Sequence, residues 1–195
     1  MDQRPTLRER ERQQRHQLIA DTALRLFADR GYEDTTVQDI AATVGMAPRT
    51  FFLHFPSKDD VLFDLDARRC TDLADRLAAR TPGAGALDTA ERVVHGWITE
   101  RGPETEQLLT RVIGGSPALA ARARLQASRY QELLTAALHT ELGTGPDDPH
   151  PAMAAAAALA GWEHIGRRHA TGQVATADLP GLLANATAAA ALLTT

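Results

Sequence analysis

The 195-residue sequence predicts an all-α chain in two parts. Alanine is plentiful, aromatic residues make up 5% of the chain, and no run of alternating β-branched residues occurs, a composition that favours helices throughout. Apolar residues recur at three- and four-residue spacing between Gly and Pro breaks. Thr81-Pro82-Gly83-Ala84-Gly85-Ala86 is the strongest of those breaks, and it sets a first domain over 1–80 and a second over 81–195.

Residues up to about Leu7 are expected to lack structure, and the charge-alternating run from Arg8 to Arg15 extends the first helix. From His16 to Arg30, Leu18, Ile19, Ala23, Leu26 and Phe27 form the stripe of helix one, which Gly31 ends; Tyr32 packs beneath the two short helices after it. Thr36 precedes Val37, Ile40, Ala41 and Val44, one face of a short helix, and Asp39 three residues on completes a cap. Gly45 ends that helix in the left-handed conformation, and Met46 turns inward. Pro48 suits the first turn of a third helix running through Arg49-Thr50-Phe51-Phe52-Leu53-His54. Ser57 caps a fourth, in which Val61, Leu62, Leu65, Leu73 and Leu77 run to about Ala79 and connect the domains. Lysine is unfavourable at a helix start, so Lys58 implies a reason outside that helix.

In the second part, Asp88 opens a helix through Val93, Val94, Trp97 and Ile98 to about Arg101. Gly102-Pro103 breaks it. Glu104 to about Ile113 is the next, and Ser116 as cap with Pro117 at the first position starts one that runs to about Leu142. A loop over 143–151 precedes a helix of small residues from Ala152 to about Ala170, and the last runs from Asp178 or Leu179 to about Leu193.

Two short helices joined through a glycine turn, the second polar at its start, read as a helix-turn-helix. In that motif the second helix enters the DNA major groove with its first residues at the base edges; Arg49 and Thr50 hold those positions. No Asp or Glu lies between Asp39 and Asp59, as a surface approaching phosphates requires.

The run from about Ile19 to Leu62 resembles the DNA-binding domain of TetR-family transcriptional regulators. The resemblance rests on Phe27-Ala-Asp-Arg-Gly31-Tyr32, on Thr35-Thr36-Val37-Gln38-Asp39-Ile40-Ala41, on Gly45-Met46-Ala47-Pro48-Arg49-Thr50-Phe51-Phe52-Leu53-His54-Phe55, and on Lys58. It covers about a quarter of the chain. Two positions depart: Ala47 stands where the family usually has a capping serine, worth about 1 kcal/mol. Phe52 stands where it usually has a tyrosine whose hydroxyl bonds phosphate.

The resemblance implies an N-terminal three-helix helix-turn-helix DNA-binding domain, including an arm and a connecting fourth helix, and a C-terminal helical bundle for effector binding and dimerisation. Candidate DNA-binding residues are Gln38, Arg49 and Thr50 at the bases, Thr36, His54 and Lys58 at phosphates, and Phe52 in packing contact. Arg4, Arg8 or Arg12 belong either to a solvated helix start or to an arm near the minor groove. The resemblance also implies a homodimer through the last two helices, Ala152–Ala170 and Leu179–Leu193, a double-stranded operator, and a small-molecule effector of unknown identity. Trp97, Arg101, Arg111, Tyr130 and Trp162 are candidates to line its cavity, with core packing the default for both tryptophans.

The remaining chemistry is thin. Net charge is −4, so any case for DNA rests on local placement rather than the total. Gly83-x-Gly85 lacks a preceding strand and a third glycine, so no nucleotide fingerprint is read there. Gly114-Gly115-Ser116 lacks the strand and final glycine of a nucleophile elbow. His164 and His169 are five apart and do not share a helix face, so neither a metal nor another cofactor is expected. The alternative, a helical enzyme using the C-terminal cavity, would draw on Glu163, His164 and Arg167, but no spacing supports catalysis. The single Cys70 fits a reducing cytoplasm, and a charged Met1 end without an apolar stretch of 18 residues argues against a secretory signal or membrane span.

Overall fold

The computed structural model describes residues 6–81 and 83–194, apart from the side chains of residues 65–67. Among these the regular structure is helical, without a strand. The elements are α1 (Leu7–Arg30), α2 (Val37–Thr43), α3 (Pro48–Phe51), α4 (Asp60–Ala78), α5 (Ala86–Arg101), α6 (Pro103–Gly115), α7 (Pro117–Leu142), α8 (His150–Ala170) and α9 (Leu179–Ala191). Short 3-10 turns flank α9 at Thr176–Asp178 and Leu192–Thr194. Among the described residues no helix is long and apolar enough to cross a membrane.

Two compact units emerge: Met1–Leu65 with Arg111–Ala120, and Asp66–Thr110 with Ala121–Thr195. The divide falls inside α4 rather than at the expected residue 80. One continuous helix serves two cores: Val61 and Leu62 are buried near its start, while Leu73 and Leu77 belong to the second core. The segment 111–120 joins the first unit, where Ser116 Oγ donates to Glu33 Oε1 at 3.1 Å.

In the first unit, Ile19, Ala23 and Phe27 of α1 are buried with Ile40, Ala41, Phe51 and Phe55. Helix α1 begins at Leu7, as the extension from about Arg8 requires; residues 1–5, including Arg4, lie outside the described residues. A capping box fixes that start: Glu9 N–H donates to Thr6 Oγ1 at 3.3 Å, and Thr6 N–H donates back to Glu9 Oε2 at 2.7 Å. Helix α3 is shorter than the span to His54. Its start at Ala47 has no side-chain cap, and its end tightens: Leu53 N–H bonds Thr50 O at 3.2 Å and His54 N–H bonds Phe51 O at 2.9 Å, both three residues back.

The second unit is built on α8 and α9 packed together against α5. Ala154, Ala155, Ala158 and Trp162 of α8 share a core with Leu179, Leu183 and Ala190. Small residues let the helices approach closely: a Cβ on Gly161 would sit 3.0 Å from Ala186 Cβ. Met153, Ala157 and Ala160 on α8 and Asn185 and Ala189 on α9 remain exposed. Helix α5 starts at Ala86, two residues before the expected Asp88, because Gly85 brings no capping side chain and Glu141 of α7 supplies one, accepting Ala86 N–H at 2.7 Å.

Candidate nucleic-acid interface

The first unit presents α3 outward. Phe51 and Phe55, both 0% exposed, anchor it from beneath with ring centroids 5.7 Å apart. With Phe51 pinned inward, Arg49 is exposed and Thr50 half-buried on the turn before it, and Phe52 and Leu53 emerge 54% and 72% exposed. Gln38 is exposed on α2. Among the described residues Arg49 has no ion-pair or side-chain hydrogen-bond partner, so its five N–H donors are unengaged by them. Gly45, with φ +70°, makes the turn between the helices in the left-handed conformation expected of it.

Two of the expected phosphate ligands are occupied inside the fold. Thr36 is exposed, but its hydroxyl donates to Asp39 Oδ2 while accepting Asp39 N–H at 3.1 Å. These bonds to Thr36 hold the Asp39 carboxyl below its ordinary pKa. Lys58 corrects the expectation more strongly. Its ammonium turns inward, donating to Tyr32 O at 2.7 Å and Thr35 O at 2.9 Å, 4.0 Å from the Tyr32 ring centroid. The reason for a lysine at this helix start is therefore internal: it ties the α1–α2 loop to the start of α4. Tyr32 completes the tie by donating its hydroxyl to Asp59 and setting its ring edgewise to Phe27 at 5.2 Å.

His54 sits where α3 meets α1. Its ring lies 6.2 Å from that of His16, which stacks on Phe55 at 4.1 Å and approaches Asp64 at 3.4 Å. Its Nδ1 is buried without a hydrogen-bond partner among the described residues. Burial, then the nearby Arg12 and Arg15, push its pKa below the ordinary imidazole value. The sequence places His16, Arg12 and Arg15 on the α1 face that carries Ile19, but not beside α3; helical spacing was the only signal for that grouping.

Residues 19–65 match the family described as bacterial regulatory proteins, tetR family. The HTH-type transcriptional regulator TcmR of Streptomyces glaucescens is 42% identical over 101 residues, spanning 49% of this chain and 44% of TcmR. The negative regulator of the biofilm operon, IcaR, of Staphylococcus aureus is 32% identical over 59 residues, 30% of this chain and 31% of IcaR. The chain thus spans less than half the length of these curated relatives. A TetR-family structure from Syntrophomonas wolfei superposes with a TM-score of 0.71 at 18% identity, over 92% of this chain and 96% of that one. Over residues 19–65 this chain is similar to the TetR family.

The candidate effector residues disperse. Trp97 and Tyr130 come together, rings 5.5 Å apart and both half-buried, with the Arg69 guanidinium 5.2 Å from the Trp97 ring. Trp162 is core: it is 1% exposed and its Nε1–H donates to Thr187 Oγ1 at 3.1 Å. Arg101 pairs with Glu106 at 2.9 Å. Arg111 is exposed and falls in the first unit, apart from the other four. Two hollows lie elsewhere: a groove of about 400 Å³ whose lining includes Leu87, Asp88, Glu91, Leu138, Glu141 and Ala188, and a second of about 430 Å³ by Arg80 and Thr140. Helical periodicity marks these carboxylates as surface but does not reveal that three helix ends converge there. Glu163, His164 and Arg167, the set considered for acid–base work, are exposed on α8, where Arg167 pairs with Glu163.

Proposed function

We propose that this chain is a ligand-responsive, sequence-specific DNA-binding transcriptional regulator, a repressor released from a pseudo-palindromic operator by a small molecule. The observation that carries the reading is the outward Arg49–Thr50 turn of α3, braced by buried Phe51 and Phe55, within a stretch free of carboxylates. Gln38 and Phe52 flank it, and His54 offers its ring N–H to a phosphate. Lys58 and Thr36 serve by fixing the motif's shape. DNA reading is assigned to residues up to about 80, dimerisation and effector response to the remainder.

The partner subunit is a second copy meeting this one through α8 and α9, whose exposed alanines permit close helix approach. Two copies would read half-sites one helical turn apart, roughly 34–36 Å. The half-buried Trp97–Tyr130 pair is the favoured effector contact in the second unit. An effector acts only through its differential affinity for the DNA-competent and released states. A cytoplasmic location follows from this role and agrees with the single Cys70.

A mobility-shift assay on the intergenic DNA upstream of the chain's own gene tests the reading. Discrete retardation that survives excess random DNA is expected. Arg49→Ala should then cost about 1–3 kcal/mol on the operator and relax base preference. Equal loss on operator and random DNA would reject Arg49 as a reader; no retardation would reject the function.

A further inference from the structure

Helix α3 is held from below and open above. Phe51 and Phe55, one turn apart, are its buried anchors, and the Phe52 ring is braced edgewise on Phe51, centroids 5.5 Å apart and planes at 85°. Arg49 stands three residues before Phe52 and four before Leu53, so the three share the face away from those anchors. The chain after Phe51 tightens to hydrogen bonds three residues back, yet Phe52 keeps helical backbone angles, φ −68° and ψ −11°, so that spacing holds as far as Leu53. Single exposed apolar side chains are ordinary on a protein surface. Among the exposed large apolar side chains of the described residues, however, Phe52 and Leu53 are the only two adjacent in sequence. They extend the face that carries Arg49.

An apolar side chain on such a face has few partners in a DNA groove. Phosphate oxygens and most base-edge atoms are hydrogen-bonding groups, and covering them with a hydrocarbon strips them of water without replacing the bond. The apolar group in the major groove is the C5 methyl of thymine. Of the two side chains, Phe52 is turned against Phe51, whereas Leu53 is the more exposed and carries two methyl groups to the tip. From Arg49 to Leu53 the chain rises about 6 Å, about two base-pair steps of duplex.

We propose that Leu53 determines sequence specificity: it packs on the C5 methyl of a thymine within about two base pairs of the base contacted by Arg49, and so selects T·A over C·G at that step of each half-site. The inference rests on the DNA-binding reading and adds to it a residue and a base that the reading leaves unassigned. Arg49 supplies a hydrogen-bonded contact and Leu53 an apolar one, so the two discriminate by different chemistry and at different base pairs.

The test uses the full chain and a set of duplexes carrying the footprinted operator. In each, one thymine is replaced symmetrically in both half-sites by deoxyuridine, which removes the C5 methyl and leaves the pairing unchanged. Binding is titrated at fixed salt for the parent, for L53A and for T50S, the last because Thr50 also carries a methyl group beside Arg49. One replacement should weaken the parent about fourfold per half-site, the worth of one buried methyl. L53A should bind thymine and deoxyuridine equally at that position, and T50S should keep the parent ratio. Leu53 is exposed, so its truncation leaves the fold intact. If L53A binds too weakly to titrate, L53V replaces it and should show a ratio below that of the parent. Three results overturn the proposal while leaving DNA binding intact: no replacement weakens the parent, the parent ratio persists in L53A or L53V, or the ratio is lost in T50S alone. A parent that binds no operator duplex overturns both.

Discussion

Replacing Lys58 by Met removes an ammonium while keeping most of its aliphatic stem. In the structure that ammonium holds two backbone carbonyls, Tyr32 O at 2.7 Å and Thr35 O at 2.9 Å, beside the Tyr32 ring. Hydrogen bonds from a charged donor contribute about 1.5–3 kcal/mol each. Water reaches this half-buried site, so the low end applies, and the two bonds together come to about 3 kcal/mol. For a chain of this length each kcal/mol shifts the midpoint by about 2–4 °C, which places the K58M transition about 6–12 °C below the parent. Thermal melts followed by far-UV circular dichroism and by tryptophan fluorescence separate the two units, because Trp97 and Trp162 both lie in the second. The circular dichroism transition should fall first and the fluorescence transition less. In binding titrations below that transition, the salt slope should stay at the parent value. A melt within about 1 °C of the parent, joined to a slope reduced by about 0.9, would identify Lys58 as a phosphate ligand and refute an internal role for its ammonium.

Other outcomes follow from the same geometry. Thr187→Val should cost about 1–3 kcal/mol in urea unfolding, because the buried Trp162 N–H loses its acceptor, and Thr187→Ser should recover part of it. Gly161→Ala gains about 1 kcal/mol of helix propensity but forces a methyl to within 3.0 Å of Ala186 Cβ. The double change G161A/A186G should therefore show a favourable coupling in a double-mutant cycle, and strict additivity would remove the steric argument. His54 binds a proton less readily folded than unfolded, so the unfolded state holds more protons just below the ordinary imidazole value of about 6.5. Stability should fall as pH drops through that window, and His54→Gln should lose that part of the slope; a Gln variant with an unchanged pH profile would remove His54 as its source.

Much of the first unit is legible in the sequence because each boundary there has a local cause. Thr36 and Asp39 cap each other, Gly45 takes positive φ, and Pro48 opens α3, all from interactions within three residues. At Lys58 sequence and structure part for the opposite reason. Its position at a helix start is visible in sequence, but its partners are carbonyls 26 and 23 residues away, and a four-carbon chain has rotamers enough to point either way. The same limit hides the cap that Glu141 gives α5 from 55 residues away. Trp97 and Tyr130 do meet, whereas Arg69, which covers the Trp97 ring, carries no signal because α4 reads as a connector. Periodicity places the helices of the second part to within two residues or so, but it says nothing of which faces meet, and so the hollows lined by Glu91 and Glu141 have no signature.

Phe52 and Leu53 stand in water at the tip of the first unit, 54% and 72% exposed. Any surface that covers them releases ordered solvent, and that release carries a negative heat capacity. Attraction by arginine weakens with added electrolyte, whereas burial of this pair changes with temperature and is not screened by salt. Calorimetry of association across a range of temperatures at fixed high salt would isolate what the two apolar side chains do, at the position where a hydroxyl is missing.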